Sequence, residues 1–283
     1  MSSIKFSYYL GCRERILKRE YGELIGFLKS AGYSAIEPLE FFGTEQMFDS
    51  IAEADALASM LRSDNIAVSC YSVYIDVYED IAAAEQYLKK QIDIAHALGC
   101  PYFHHTLRPP LEATSLSIDI NVVMPALLPT LKKLADHAAS KGITILYEPQ
   151  GFCFNGANLS ELVNALRGNG VENVGVCLDF GNPAFVDYKA LDLMGELLPL
   201  IRNVHIKDYK YCDNDSVSYR SIGGRHFYEV GYGLGDMQCA ECVEKLVKSG
   251  YNGYFATELM PDGTSPDDAG VAAISTITQA KLP

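Results

Sequence analysis

The sequence lacks the features of membrane, secreted and nucleic-acid-binding proteins. No apolar run approaches the ~20 residues that span a bilayer, and the N-terminal MSSIKFSYYL does not have the charged and apolar segments of a secretory signal. Basic residues are few, because 23 Lys and Arg stand against 36 Asp and Glu, for a net charge of −13. A chain this acidic repels phosphate backbones. We therefore expect a cytoplasmic protein with no nucleic-acid or membrane partner.

Two common cofactor motifs are also missing. The first predicted strand is not followed by G-x-G-x-x-G, which argues against a dinucleotide-binding fold. The eight cysteines include a single C-x-x-C pair, Cys239 and Cys242, and no second pair completes a zinc site. The surrounding GDMQCAECVEKLVKSG predicts an amphipathic helix that carries both cysteines.

The chain does contain a regular alternation of short apolar runs and longer amphipathic segments. Hydrophobic residues make up 48% of the 283, which is enough for a large core. The pattern predicts strands at 4–10, 34–39, 66–75, 101–107, 143–149, 174–180, 203–208 and 254–260. Helices are predicted at 13–31, 45–63, 81–98, 121–140, 159–167, 186–197, 237–248 and 267–280, with a long loop over 210–235.

Eight strand–helix units predict a closed (β/α)₈ TIM barrel. Nearly continuous apolar strands separated by helices indicate a parallel sheet that is covered on its faces, and eight units are the number that closes a barrel. No linker or low-complexity tract divides the sequence, so we expect a single domain over residues 1–283. A doubly wound open sheet is the alternative.

Four of the predicted strands end in residues that can bind a metal. Glu148 ends ITILYEP, Asp179 follows VGVCL, His205 lies in NVHIKD, and Glu258 ends YFATE. The carboxyl ends of barrel strands face one shared mouth. Three carboxylates and one imidazole suit Mn²⁺, Mg²⁺ or Co²⁺, with Zn²⁺ as a further option. Any one of these residues alone could be a solvated loop residue or a helix cap, but three buried carboxylates require a cation.

These strand ends resemble those of a known family. YEP, LDFGN, VHIKD and TEL, in this order, are similar to the xylose isomerase-like TIM-barrel superfamily of sugar-phosphate isomerases and epimerases, and most similar to its ketose 3-epimerases. The resemblance implies that Glu148, Asp179, His205 and Glu258 bind one divalent metal, Mn²⁺ being the first choice. It also implies that Glu148 and Glu258 transfer protons during epimerisation at C3 through a metal-stabilised enediolate. Members of this family often form homo-oligomers.

The chemistry behind this expectation is that of a carbon acid. A C–H bond beside a ketone has a high pKa, so a Lewis acid that stabilises the developing enolate charge is needed. Two carboxylates on opposite sides of the carbon can then remove and deliver the proton. The substrate would be a sugar or a sugar phosphate. A metal-dependent lyase that dehydrates a keto-inositol or a dehydroshikimate is the alternative, and a non-catalytic sugar-binding barrel is a third.

Three further residues are candidate substrate contacts. Asn182 stands where many family members have a histidine, and its amide can hydrogen-bond a sugar hydroxyl without acting as an acid or base. Lys207 lies two residues after His205, on the same side of the strand, where it contacts substrate or forms an ion pair with Asp208 or another carboxylate. Arg225 could bind phosphate or a substrate hydroxyl.

Other residues near the strand ends have less specific expectations. Glycines 231, 233 and 235 form either a phosphate-binding nest or tight turns. Only one of the adjacent His104 and His105 can face the barrel interior, and both are left out of the predicted metal set. Glu37 and Tyr71 could line the pocket or serve only the structure. The mouth could be shielded by Phe41, Phe42, Phe152 and Phe154.

Overall fold

Eight parallel strand positions close into a barrel in this computed structural model, which describes residues 4–11, 20–43, 46–107, 120–149, 157–216 and 219–280. The barrel strands are β1 Lys5–Gly11, β2 Ala35–Phe41, β3 Ala67–Val68 with β4 Tyr71–Tyr74, β5 Tyr102–His105, β6 Thr144–Tyr147, β7 Val174–Asp179, β8 Ile201–Ile206 and β12 Tyr254–Thr257. They pair in parallel around the ring, and β1 pairs with both β2 and β12. The predicted (β/α)₈ barrel is confirmed.

Eight helices cover the outside of the barrel in the described part of the chain. They are α1 Tyr21–Ala31, α2 Ile51–Ser63, α3 Ile81–Ala97, α4 Ile120–Ser140, α5 Ala157–Gly168, α6 Ala190–Leu197, α7 Cys239–Lys248 and α8 Pro266–Gln279. Local signals set their ends. The Ser50 side chain accepts the N–H of Glu53 at 3.2 Å, so α2 starts at residue 51 rather than 45. Helix α1 ends at Gly32, whose φ of +88° suits glycine.

Alternation along each strand separates the packing face from the inner face. On β8, Val204 and Ile206 are fully buried against the helices, whereas Asn203 and His205 point into the barrel. Cys70, Leu146 and Cys177 form a small apolar cluster inside, two residues before the strand ends that carry polar groups. The barrel interior therefore has an apolar floor below a polar layer at its carboxyl end.

Several predicted elements need correction. The third strand is split into β3 and β4, and the helix predicted over 186–197 starts at Ala190 as α6, after a separate 3-10 turn, Asn182–Val186. The part of the 13–31 helix that the structure describes begins at Tyr21, and residues 12–19 lie outside the described residues. Cys239 and Cys242 are buried on α7, as predicted for an amphipathic helix. No helix among the described residues is long and apolar enough to cross a membrane.

The prediction of a loop over 210–235 was wrong, because the segment contains an antiparallel hairpin. Strand β9 (Asp208–Cys212) pairs with β11 (His226–Val230), and β10 (Tyr219–Arg220) pairs with the start of β11. Tyr209 and Phe227 have ring centroids 5.0 Å apart, and Phe185 packs edge-on against Phe227 at 4.9 Å. Alternating aromatic residues thus give the hairpin a core of its own at the barrel mouth.

The glycine-rich segment after the hairpin is folded around a side chain of the protein itself. The Asp208 carboxylate accepts the backbone N–H groups of Gly233 at 2.9 Å, Gly235 at 3.2 Å and Met237 at 3.4 Å. These amides are the donors that a phosphate nest would need. The structure therefore favours the tight-turn interpretation of these glycines over the phosphate-binding one.

We expect Gly235→Ala to destabilise the protein by about 1–3 kcal/mol. A Cβ at this position would lie 2.2 Å from Asp208 Oδ1 and 2.5 Å from the Tyr209 carbonyl oxygen. Gly231→Ala is the matched control, because its Cβ would meet only the Leu234 side chain at 3.6 Å. Urea unfolding of both variants measures the difference, and equal stability of the two would contradict this account of the loop.

Candidate metal centre

The four predicted metal ligands converge at the carboxyl end of the barrel. One donor atom from each of Glu148, Asp179, His205 and Glu258 lies within 4.8 Å of the others. The first three side chains are at most 3% exposed and that of Glu258 is 13% exposed. Residues that are far apart in the sequence are therefore brought into one nearly buried cluster.

Asp179 is oriented by the LDFGN segment that follows β7. Its Oδ1 accepts the backbone N–H groups of Gly181 at 2.7 Å and Asn182 at 2.6 Å. Glycine is required at 181, because a Cβ there would lie 2.8 Å from the Tyr209 ring and 2.9 Å from Lys207 Cγ. The other oxygen, Oδ2, is buried without a hydrogen-bond partner among the described residues. One oxygen thus fixes the carboxylate and the other faces the cluster.

His205 lies at the centre of the cluster and contacts three carboxylates. Its Nδ1 is 3.1 Å from Glu148 Oε1 and 3.1 Å from Glu258 Oε2, and its Nε2 is 2.8 Å from Glu37 Oε1. Burial lowers the pKa of this imidazole, but Cys177 and the carboxylates of Glu37 and Glu148 reverse the effect and raise the pKa well above its usual value. The metal-free arrangement therefore favours the protonated imidazole.

Lys207 and Asn182 also belong to the cluster. The Lys207 ammonium is 2.7 Å from Glu258 Oε1 and 3.5 Å from Asp179 Oδ2. Asn182 accepts from Lys207 Nζ at 3.3 Å and donates its Nδ2 to Glu148 Oε1 at 3.2 Å. The ion pair considered for Lys207 is thus present, but with ligands of the candidate site rather than with Asp208.

Arg225 is placed differently from the other predicted site residues. Its guanidinium lies 3.5 Å from the centroid of the Tyr211 ring, on the hairpin rather than on a barrel strand. A role for Arg225 in substrate binding remains a prediction.

The charges in the cluster do not balance without a further cation. Burial raises the pKa of Glu258, but Lys207 and His205 outweigh it and lower the pKa to about 2. For Asp179, burial is only partly offset by Lys207, and its pKa is raised to about 7. Including Glu37, four buried or nearly buried carboxylates surround two cationic side chains. With His205 neutral, as a metal-ligating imidazole is, four ionised carboxylates and Lys207 carry a net charge of −3, of which one divalent ion would offset two.

The donor set fits such an ion. Oxygen-rich sites suit hard divalent cations, and ligands on opposite sides of one ion lie about 4–5 Å apart. The largest separation in the cluster, 4.8 Å, is within this span. Glu258 Oε2, like Asp179 Oδ2, is a buried oxygen without a hydrogen-bond partner among the described residues. Both oxygens are therefore available as ligands.

Sequence reasoning gave too little weight to Glu37 and His104. Both side chains face the barrel interior: Glu37 contacts His205, and His104 Nε2 is 3.3 Å from Glu148 Oε2. His105 points outward and packs against the Tyr147 ring, so only one of the two histidines faces inward, as predicted. The available signal for Glu37 was an acid in the middle of a buried strand, which requires a partner.

The other residues considered as lining the pocket do not contact the cluster in the described part of the chain. The Tyr71 hydroxyl donates to Glu40 Oε2 at 2.7 Å, on the helix side of the barrel wall rather than in the pocket. Phe41 and Phe42 are exposed and contact the rings of Tyr74 and Tyr87. Phe152 and Phe154 lie outside the described residues.

Comparison with known protein families identifies the family of this chain. The family described as "Xylose isomerase-like TIM barrel" matches residues 25–277. The chain belongs to this family. The resemblance inferred from the four strand-end motifs is thereby confirmed, and members of the family are mostly enzymes. A comparison with curated proteins gave no significant match.

Solved structures with the same fold include enzymes of different reaction classes. A xylose isomerase domain protein from Planctomyces limnophilus is 16% identical, with 97% of this chain and 95% of that chain covered and a TM-score of 0.73. The probable 3-DHS dehydratase AsbF from Bacillus anthracis is 14% identical (98% and 100% covered, TM-score 0.72). D-psicose 3-epimerase from Clostridium cellulolyticum H10, solved with D-tagatose, is 15% identical (97% and 98% covered, TM-score 0.71). At these identities the likeness shows the shared fold.

We expect Asp179→Asn to stabilise the metal-free protein at pH 7.5 by about 1–3 kcal/mol. Folding raises the Asp179 pKa from 3.8 to about 7, so between these pH values the Asp179 carboxyl is protonated in the folded state and ionised in the unfolded state. The contribution of Asp179 to wild-type stability therefore falls as pH rises from about 4 to 7. The Asp179→Asn variant has no carboxyl group at this position, so it does not lose stability in this way. Thermal unfolding in a chelator at pH 5 and pH 7.5 measures the effect.

The exposed Asp213 provides the control for this prediction, since Asp213→Asn leaves the cluster intact. Addition of Mn²⁺ should then raise the melting temperature of wild type and Asp213→Asn, but not that of Asp179→Asn. If metal-free Asp179→Asn were no more stable than wild type at pH 7.5, the description of an unbalanced buried acid would be incorrect.

Proposed function

We propose that the protein is a divalent-metal-dependent isomerase or epimerase of a ketose or ketose phosphate. The observation that carries this proposal is the placement of Glu148 and Glu258. They follow strands that are three positions apart around the barrel, and both approach the same nitrogen, His205 Nδ1, at 3.1 Å. Two carboxylates thus face each other across one site, as a transfer of protons between the two faces of a carbon requires.

Four residues would hold the cation: Glu148, Asp179, His205 and Glu258. Once bound, the ion would supply a Lewis acid that stabilises the negative charge developing on a ketone oxygen. The ligand set makes Mn²⁺ the first choice, with Mg²⁺, Co²⁺ and Zn²⁺ as alternatives.

The protein's own side chains would carry out the proton transfers. Lys207 keeps Glu258 ionised, which is the form that accepts a proton. One of Glu148 and Glu258 removes the proton beside the carbonyl, and the other delivers a proton to the opposite face, so that the configuration inverts. Delivery to the adjacent carbon instead gives aldose–ketose isomerisation. Asn182 and Lys207 would hydrogen-bond substrate hydroxyls, a role supported by their contacts with Glu148 and Glu258.

Two features that could have favoured a phosphorylated sugar do not support it. The amides of the glycine-rich segment are taken by Asp208, and the Arg225 guanidinium stacks on the Tyr211 ring. The substrate panel should therefore contain free ketoses and ketose phosphates in equal measure.

Turnover in D₂O with Mn²⁺ tests the proposal. We expect wild type to convert a ketose into its C3 epimer with deuterium at C3, detected by NMR and mass spectrometry. Glu148→Gln and Glu258→Gln should each lower the rate by at least about 10²–10⁴-fold, with metal content measured to separate lost chemistry from lost binding. Glu40→Gln is the matched control, because Glu40 is a buried glutamate that contacts Tyr71 and the Met47 amide outside the cluster.

Other outcomes would lead to a different function. Keto-inositol and dehydroshikimate belong in the panel, because a product lighter by one water would identify a lyase on the same scaffold. Binding of a ketose without any turnover by the metal-loaded wild type would instead indicate a sugar-binding barrel. Either result would contradict the epimerase proposal.

A further inference from the structure

Glu37 is a fully buried carboxylate in the middle of β2, and both of its oxygens are hydrogen-bonded. Its side chain is 0% exposed. Oε1 is 2.8 Å from His205 Nε2 and accepts the Ser72 hydroxyl at 2.8 Å, while Oε2 accepts the Asn203 amide at 2.8 Å. Three donors, one on β4 and two on β8, thus converge on one acid that has no access to solvent.

This arrangement determines which nitrogen of His205 carries a fixed proton. An ionised carboxylate only accepts hydrogen bonds, so Nε2 must be the donor in the contact with Glu37. The opposite nitrogen, Nδ1, is the one that faces Glu148 and Glu258. A ring flipped by 180° would lose the bond to Glu37 and present the carbon Cδ2 to the cluster in place of Nδ1.

We propose that Glu37 is a positioning residue of the metal centre, which holds the Nε2 proton of His205 and thereby reserves Nδ1 for the cation. This inference rests on the proposed function, since it assigns His205 as a ligand. Carboxylate partners of ligating histidines orient the ring and raise its basicity, and their loss typically weakens metal binding by about 10–100-fold.

The effect of Glu37 extends towards a second ligand. Ser72, which donates to Glu37, is also 3.2 Å from Nδ1 of His104, and Nε2 of His104 is 3.3 Å from Glu148 Oε2. His104 and Ser72 are both buried. Glu37 therefore contacts His205 directly and is linked to Glu148 through two intermediate side chains.

Glu40 shows what a buried glutamate with a purely structural role looks like on the same strand. It is 1% exposed and accepts from the Met47 amide at 2.9 Å, from the Tyr71 hydroxyl at 2.7 Å and from the Tyr87 hydroxyl. These contacts lie on the helix side of β2. Glu37→Gln and Glu40→Gln thus remove the same charge from the same strand, and only the first touches His205.

Calorimetric titration of the metal-free full-length protein with Mn²⁺ provides the first test. We expect Glu37→Gln to bind Mn²⁺ about 10–100-fold more weakly than wild type, and Glu40→Gln to bind it as wild type does. Wild-type affinity in Glu37→Gln would overturn the inference. Equal weakening in both variants would also overturn it, because the loss would then reflect general damage to β2.

A spectroscopic test separates positioning from stability. In ¹⁵N-histidine-labelled protein loaded with diamagnetic Zn²⁺, we expect wild type and Glu40→Gln to show a slowly exchanging, hydrogen-bonded Nε2 proton on His205. In Glu37→Gln this resonance should move upfield or be lost by exchange. An unchanged resonance in Glu37→Gln would overturn the inference.

Ser72→Ala provides a second variant if Glu37→Gln does not fold. It removes one donor to Glu37 with little change in volume, so Mn²⁺ binding several-fold weaker than wild type supports the inference and wild-type affinity overturns it. The two proposals fail in distinguishable ways. If the wild type binds no divalent cation, both proposals are wrong. If the wild type and Glu37→Gln bind Mn²⁺ with equal affinity, only the positioning role of Glu37 is wrong.

Discussion

Burial of negative charge inside the barrel is the constraint on which the rest of this structure depends. Isolated ionised carboxylates are strongly disfavoured away from water. This interior nevertheless holds Glu37, Glu148 and Asp179, with Glu258 at its edge. The protein supplies two cationic groups, His205 and Lys207, among these acids. The remaining negative charge makes the cluster a candidate site for a positive ion.

Strand β8 and the residue after it organise this interior, because three successive inward-facing positions serve three different purposes. Asn203 donates to Glu37, His205 contacts Glu37, Glu148 and Glu258, and Lys207 pairs with Glu258. The spacing of two residues places these groups one above another along the barrel axis. A single strand thus connects the buried acid below the cluster to the carboxylates at the mouth.

Sequence patterns were informative where the information was local. Apolar runs and helical periodicity predicted the barrel, and each of the four candidate ligands was recognisable because it stands at the end of such a run. The hairpin was missed because DYKYC and HFYEV are short runs separated by residues 213–225, and their pairing is not visible locally. Glu37 was undervalued because its partner His205 is 168 residues away, and a contact of that kind is invisible until the barrel closes.

The hairpin is inserted in the chain between the strand that carries His205 and the strand that ends at Glu258. It contacts the segment that follows the second of these strands through Glu229, whose carboxylate accepts the backbone N–H of Met260, two residues beyond Glu258. None of the four candidate ligands is part of the hairpin itself. Changes in the hairpin can therefore reshape the opening above the cluster without replacing any candidate ligand, provided that Glu229 keeps its contact with Met260 and Tyr209 its place against Gly181.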